Sequence, residues 1–485
     1  MDTVRVEKIN EGYLRIDADV GLVMEMSDYF TFDVPGASFS PAFRNKLWDG
    51  NVYLFNTMTR LLYAGLLPYV VSFCKDRDYE CIVSEDFKPV QKYGNDSGYA
   101  LAKMLKTKFE LRDYQNEAFV EALNSERRVL LSPTGSGKSF IIYLLTQWHI
   151  AQDRRVLIVV PTTSLVHQMS SDFVEYNNGD LMDIHKIMAG AEKDIPNKIV
   201  VTTWQSIYKL KKEWFNQFDV VVGDECHLFK AKSLTSIMTK LDQCKYRYGF
   251  TGTLDGTATH RLVLEGLFGS VKKVVSTSEL MEQQVLAPLK IKGIVLEYPK
   301  EFRKLLKGKT YPEEMSFLVG IKARNDFICN LAKSLKGNTL ILFQYVEKHG
   351  KILHPILQAG DKEVYFVHGG VNATVREDIR KIVEESENNI VLASYGVFST
   401  GVNIRNLHNI IFATSGKSRI RNLQSIGRGL RTHDSKEVAT LYDITDDLSR
   451  GKTKNFALKH FLERIDIYSR EGFSFKLYNI SLKVS

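Results

Sequence analysis

The chain has 485 residues, 44% of them hydrophobic and 25% charged, with a formal net charge of +8. At ~150 residues per domain this predicts about three domains rather than one core. No run reaches the ~18 apolar residues of a membrane span, Met1-Asp-Thr-Val-Arg-Val-Glu-Lys8 lacks the apolar core of a secretory signal, and five scattered cysteines form no C-x-x-C pair, which fits a reducing, cytoplasmic setting without a disulfide framework or zinc site.

Residues 1–95 alternate short apolar runs with turns and carry 10 Lys and Arg against 14 Asp and Glu. Pro41, Asp49 and Gly50 supply turn chemistry, and Val52 to Phe55 reads as a strand. Residues 84–100, with Pro89, Gly94, Asn95, Asp96, Ser97 and Gly98, read as a linker.

From there the pattern becomes strand then helix, repeated. Aliphatic, nearly uncharged runs at 128–132, 155–161, 198–203, 219–223 and 246–251 predict a parallel sheet covered on both faces. A second series at 339–343, 363–367, 389–394, 409–413 and 438–442 predicts another, joined to the first near 283–290. The expected domains are therefore 1–95, 96–285 and 286–455, followed by a C-terminal helix and tail at 456–485. In the helix, Leu458, Phe461, Leu462, Ile465 and Tyr468 recur at helical spacing and predict a face packed on the second sheet domain. Residues 286–485 hold 32 Lys and Arg against 21 Asp and Glu, so the basic excess sits there. Charge alone fits a polyanionic partner and a merely basic surface equally.

Ser132-Pro-Thr-Gly-Ser-Gly-Lys-Ser139 lies between a predicted strand and a predicted helix, the layout that holds a nucleotide triphosphate by backbone N–H groups at a helix N-terminus. Thr134, Gly135, Ser136 and Gly137 form the cradle, the glycines removing the Cβ that would keep phosphate at a distance. Lys138 is placed to reach the β- and γ-phosphates and Ser139 to coordinate Mg²⁺. Ser132 stands where the strict pattern has Gly. About 85 residues on, Phe218-Asp-Val-Val-Val-Gly-Asp-Glu-Cys-His227 ends another predicted strand with an acidic pair. Asp224 suits Mg²⁺, and Glu225 suits a general base for the attacking water. Cys226 reads as packing, and His227 as a hydrogen-bonding link from the nucleotide site. Gln115 opens a helix just upstream, and its amide both donates and accepts, as reading an adenine edge requires.

These residues resemble the motifs of superfamily 2 helicases: Gln115, the loop at 132–139, and Asp-Glu-Cys-His at 224–227. The remaining motifs follow in family order: Pro161-Thr-Thr-Ser-Leu-Val-His-Gln168, Thr202-Thr-Trp-Gln-Ser206, Thr251-Gly-Thr253, Phe343-Gln344, His368-Gly369 with Arg376, Ser394 to Ile404, and Gln424-Ser-Ile-Gly-Arg-Gly-Leu-Arg431. The resemblance covers roughly 110–445. It implies two tandem RecA-like α/β domains after a small α+β domain, with ATP and Mg²⁺ as cofactors and nucleic acid as partner. It places Gly401 and Gln424 at the nucleotide, and Arg428 and Arg431, three apart and so on one helix face, as arginine fingers on the γ-phosphate. It gives Thr162, Thr203, Gln205, Gly369, Arg376 and Ser394 to the nucleic-acid backbone, and Thr251, Thr253 and His227 to coupling. Asn403 stands where many relatives are acidic.

Over its whole length the chain resembles the phage UvsW helicases. Phe43-Arg-Asn-Lys-Leu-Trp-Asp-Gly50, Gly223-Asp-Glu-Cys-His-Leu228, Ala393 to Gly401 and Ile426-Gly-Arg-Gly-Leu-Arg431 carry that likeness. It implies ATP-driven branch migration of Holliday junctions and forks and unwinding of branched DNA and R-loops, in recombination, repair and replication, in the cytosol of an infected bacterium. It also implies duplex contact by the first domain, for which Arg44, Lys46, Trp48 and Arg60 are the candidates. Trp48 is equally explained as core. Two other readings stay open at this point. One is an RNA helicase, since such motors grip backbone rather than bases. The other is a non-catalytic clamp switched by ATP, against which Glu225, Arg428 and Arg431 argue.

Overall fold

The alternation near the N-terminus builds a small sheet. Val4, Val6, Leu14 and Ile16 are buried while Arg5, Glu7, Arg15 and Asp17 between them face out, so β1 (Thr3–Lys8) and β2 (Tyr13–Asp17) present one apolar face. A computed structural model describes residues 2–34, 36–87, 93–188, 196–228, 231–254, 258–306, 308–398, 404, 406–414, 438–449, 451 and 453–483. By packing, the chain forms two units: Met1–Ser132 with Gly137–Val275, and Pro133–Ser136 with Ser276–Ser485.

In the first unit, β1 and β2 join β5 (Leu61–Tyr63) and β6 (Glu80–Val83) in the order β5-β2-β1-β6. The pair β3 (Thr31–Asp33) and β4 (Asn51–Tyr53) stands apart as an antiparallel ribbon. Helices Val20–Tyr29 and Leu67–Lys75 close the core with Leu22, Met26, Val70 and Phe73. This core continues into the neighbouring sheet's layer, because Leu262 of helix Ala258–Phe268 belongs to it. Tyr69 donates its hydroxyl to Glu265 Oε2 (2.6 Å), and Arg127 donates to the carbonyl of Glu11 (2.9 Å) and pairs with its carboxylate (3.0 Å). The small sheet is thereby seated on the larger one. The stretch read as linker is shorter than its composition suggested: from Ser97 the chain is helical to Leu105 and packs Leu101 and Ala102 into the large core.

The large sheet of the first unit is wholly parallel, in the order β13-β7-β12-β11-β8-β10-β9. Its members are β7 (Arg127–Leu131), β8 (Val156–Val160), β9 (Ile184–Ile187), β10 (Ile199–Thr203), β11 (Val220–Gly223), β12 (Tyr246–Thr251) and β13 (Val271–Lys273). The central strands β8, β10 and β11 are buried at every position, as expected for a sheet covered on both faces.

The second unit repeats the plan in the order β16-β17-β15-β18-β19-β14-β20, again all parallel. Here β14 is Leu289–Glu297, β15 Thr339–Phe343, β16 Val364–Val367, β17 Ile390–Ser394, β18 Asn409–Phe412, β19 Ala439–Asp447 and β20 Phe475–Ser481. Together these are the two tandem RecA-like sheets and the small α+β domain the sequence predicted. The C-terminal helix, Phe456–Arg470, packs a face rotated from the one its apolar spacing suggested, sharing Phe461 and Tyr468 with it. Ala457, His460, Phe461, Arg464, Ile467 and Tyr468 are buried, whereas Leu462 is 39% exposed. The reason is a buried ion pair: Arg464 donates from two nitrogens to Asp443 of β19 (2.7 and 2.8 Å), and Tyr468 adds a third bond (2.8 Å). The remaining tail is β20, an edge strand.

Candidate active site

At the carboxyl end of β7 the chain turns through the loop at 132–137 into helix Lys138–Ile150. Gly135 and Gly137 have φ of 88° and 79°, a region L side chains rarely enter. At Gly137 space is also closed, because a Cβ there would lie 2.4 Å from Gln115 Nε2. Gln115 is buried, and its Oε1 accepts from the N–H of Arg112 (3.0 Å), capping its own helix, Asp113–Ser125. It thus ties that helix to the phosphate loop. Thr134 is half-buried, and Ser136 is fully buried with its hydroxyl donating to the Pro133 carbonyl (2.7 Å).

Lys138 Nζ donates to the Ser132 carbonyl (3.1 Å) and lies 3.6 Å from Glu225 Oε1. Asp224 and Glu225 follow β11, two strands from β7 in the sheet. Asp224 is buried, its N–H bonded to the Val159 carbonyl (3.0 Å). Burial first, and the charge of Glu225 second, push its carboxyl up to about 7, with Lys138 pulling the other way. Two carboxylates against one ammonium leave the cluster short of positive charge. Hard oxygen donors of this kind, the Ser139 hydroxyl and the Asp224 carboxylate, fit Mg²⁺ completed by phosphate oxygens. No group of three or more His, Cys, Asp or Glu fit to hold a metal occurs among the described residues. The Ser139 hydroxyl is bonded to Tyr176 (2.6 Å), a contact that leaves it a lone pair for a metal. Sequence reasoning missed Tyr176, and nothing in its local pattern points to the contact.

Glu225 has a φ of 47°, a strained backbone for a residue with a side chain, of the kind that clusters at functional sites. Its Oε2 lies 3.5 Å from His227 Nδ1, and that nitrogen lies 2.5 Å from Thr251 Oγ1 at the end of β12. Thr251 spends its own proton on the Thr253 carbonyl (2.7 Å), so it accepts from His227. Thr251 also reaches the phosphate loop, its carbonyl accepting from the Ser132 N–H (2.9 Å). Lys138, Glu225, His227, Thr251 and Thr253 therefore form one connected path. Cys226 is fully buried and burial raises its thiol, consistent with packing.

The candidates for nucleic acid divide by position. Thr162, half-buried, caps helix Thr163–Tyr176 by accepting from the Leu165 N–H (3.4 Å). Thr203 is buried and pairs with Ser206 (2.9 Å), and exposed Gln205 donates to the Pro161 carbonyl (3.2 Å). These three stand at the carboxyl ends of β8 and β10. In the second unit, Ser394 ends β17, Gly369 is exposed with open space around it, and Arg376 lies on helix Ala373–Glu385. Arg44 and Lys46 are exposed, Arg44 donating to the Ser38 carbonyl (3.2 Å). Trp48 is half-buried, its indole N–H fixed on the Asn51 carbonyl (2.7 Å), and Arg60 is paired with Asp17 (2.8 Å). Gly401, Asn403, Gln424, Arg428 and Arg431 lie outside the described residues.

Three family descriptions match the chain in sequence: DNA helicase UvsW, N-terminal, at residues 4–84; Type III restriction enzyme, res subunit, at 108–256; and Helicase conserved C-terminal domain at 323–433. With the tandem sheets they define an ATP-hydrolysing superfamily 2 helicase. The ATP-dependent DNA helicase uvsW of Enterobacteria phage T4 is 36% identical, over 99% of this chain and 100% of its own. Its crystal structure matches with a TM-score of 0.53 at 34% identity, covering 99% of this chain and 100% of that one. A DNA 3'-5' translocase of Sulfurisphaera tokodaii is 25% identical over 70% of this chain and 83% of its own. The chain belongs to the UvsW family of ATP-dependent DNA helicases.

Proposed function

We propose that the chain is a motor that uses ATP and Mg²⁺ to remodel branched DNA: Holliday junctions, stalled forks and R-loops, in recombination, repair and replication. The observation that carries this reading is the series of close contacts from Lys138 to Glu225 (3.6 Å), Glu225 to His227 (3.5 Å), and by hydrogen bonds on to Thr251 and Thr253. It links the lysine proposed to meet the γ-phosphate to the end of β12, on the same carboxyl edge of the parallel sheet as the ends of β8 and β10 that carry the backbone-gripping candidates. Gln115 reads the adenine edge; Thr134, Gly135, Ser136 and Gly137 hold the phosphates; Lys138 draws charge from the β- and γ-phosphates. Ser139 and Asp224 hold Mg²⁺, which supplies charge neutralisation on the phosphates when bound. Glu225 takes a proton from the attacking water. Gly401 and Gln424 complete the nucleotide's surroundings, and Arg428 and Arg431 stabilise charge on the transferring phosphoryl group.

Thr162, Thr203, Gln205, Gly369, Arg376 and Ser394 grip the nucleic-acid backbone. Such contacts position the strand without reading its sequence. Arg44, Lys46 and Trp48 contact duplex DNA ahead of the motor, where the fixed seating of the small domain on the first unit lets the two move together. Among the described residues no helix is long and apolar enough to cross a membrane, and the phage relative supports work in the host cytosol, beside recombination or replication proteins. The test is ATP-driven strand exchange on four-way junctions, forks, R-loops and RNA duplexes at fixed salt, because phosphate binding depends steeply on salt. Activity on the DNA forms and RNA–DNA hybrids but not on RNA duplexes is expected. Preference for RNA duplexes supports the RNA-helicase reading instead.

A further inference from the structure

Residues 286–485 contain no second glycine-rich loop of the 132–139 type in their sequence, yet three adjacent strands of the second sheet end on a buried polar cluster. β17, β15 and β18 are neighbours, and each runs at its carboxyl end into a segment of the resemblance. Thr414, two residues past β18, is buried. Its hydroxyl accepts from the N–H of Gln344 after β15 (3.4 Å), and its carbonyl accepts from the hydroxyl of Tyr395 after β17 (3.4 Å). One step earlier, the Ala413 carbonyl accepts from Arg324 (2.9 Å), which is itself held by Asp446 of β19 through two bonds (2.7 and 3.0 Å).

The fourth arm is His349, on a single π turn, Val346–Gly350, a rare geometry frequent at functional sites. Gly350 allows the turn to sit against the strands: a Cβ there would be 2.7 Å from the Phe343 ring. The protons are assignable. Asn325 donates its amide to the Val319 carbonyl (2.8 Å), so its oxygen faces His349 Nε2 at 3.2 Å and accepts. His349 Nδ1 is then the bare nitrogen, and Thr414 donates its proton to it (3.2 Å). Burial and the charge of Arg324 lower the imidazole's pKa to about 3, so it stays neutral.

We infer that Thr414 and His349 are positioning residues for ATP turnover: they fix the carboxyl ends of three adjacent strands in one register. Open parallel sheets place their ligand-facing segments beyond those ends. In chain order Ser394 precedes Tyr395, and Thr414 precedes Gln424, Arg428 and Arg431 in the sequence. A hydroxyl that only satisfied buried groups would affect stability. One that sets the register affects the rate of hydrolysis. This inference rests on the nucleotide roles proposed above for the second unit.

The experiment compares Thr414→Val, Thr414→Ser, His349→Ala and the Val/Ala double variant in the full chain. It reads DNA-stimulated kcat, KM for ATP and Tm, with Lys138→Ala as the inactive control. Thr414→Val is expected to lower kcat about tenfold while KM stays within about twofold, because a positioning defect appears in the transition state rather than in binding. Thr414→Ser keeps the hydroxyl and should stay within about twofold of the parent. The double variant should lose no more than the worse single one, as for two residues of one network. Thr414→Val at parental kcat, an equal loss in Thr414→Ser, a loss explained by the unfolded fraction, or additive losses would each overturn the inference. Residual turnover in Lys138→Ala instead overturns the nucleotide assignment.

Discussion

Each unit of this helicase carries a His–Thr pair at the carboxyl ends of its sheet, and the two pairs point their protons in opposite directions. In the first, His227 donates to Thr251 and faces the Glu225 carboxylate at 3.5 Å. In the second, Thr414 donates to His349, whose other nitrogen meets the neutral amide of Asn325. The same two residue types therefore serve different ends. Where an acidic pair and a lysine are proposed to do the chemistry, the histidine lies against a charged carboxylate, and its role there is proposed to be reporting that charge's movement. At the second sheet, the buried histidine hydrogen-bonds only neutral groups, Thr414 and Asn325, and its proposed role is to hold geometry.

The largest expected effect falls on the charged end of this comparison. Glu225→Gln should lower kcat by at least ~10²-fold and Arg431→Ala by ~10³-fold, both with ATP affinity nearly intact. Single-turnover hydrolysis beside equilibrium nucleotide binding measures both, and normal turnover in Arg431→Ala removes the finger assignment. Next comes Thr251→Val, which cuts the path beyond His227. It should reduce strand exchange per ATP hydrolysed by about tenfold, the size expected when one hydrogen bond of a network is missing from the transition state, while basal hydrolysis changes little. Equal loss of both activities would make Thr251 part of the chemical step and erase the contrast with Thr414.

The smallest effect concerns acid. His349 has its folded pKa depressed to about 3 from an ordinary 6.5, by burial first and Arg324 second. Its neutral form contributes stability fully above pH 6.5, and this is lost as pH falls from 6.5 toward 3, because the unfolded chain takes up the proton first. At pH 5 the loss is ~2 kcal/mol. The drop in Tm between pH 7.5 and pH 5 should therefore be smaller in His349→Gln than in the parent. An unchanged drop would show that His349 is not held neutral.

How much of this was legible before the fold depends on what each segment buries. β8, β10 and β11 are apolar at nearly every position because both faces are covered, so their runs stand out. β9, β13 and β20 lie at sheet edges, where His185, Lys186, Lys272, Lys273 and Lys476 interrupt the pattern, and β14, one strand in, is interrupted by Lys290 and Lys292; none of the four is among the predicted strands. The C-terminal helix was misphased because Arg464 is a core residue only by virtue of Asp443, 21 positions earlier in the chain. The phosphate loop was readable because glycine at fixed spacing has a backbone reason. Tyr176 on Ser139 and Thr414 on His349 join distant segments (37 and 65 residues apart), and no local period encodes them.

Hydrolysis at Lys138 and Glu225 is proposed to drive rearrangement of branched DNA. The most direct measurement follows a labelled four-way junction with the parent and Glu225→Gln, at one salt concentration, with RNA duplex as the competing substrate. The parent is expected to resolve the junction into duplex arms only with hydrolysable ATP, Glu225→Gln to bind it without resolving it, and the RNA duplex to stay paired. Junction resolution by Glu225→Gln at the parental rate, or unwinding of the RNA duplex in preference to the junction, would contradict that proposal.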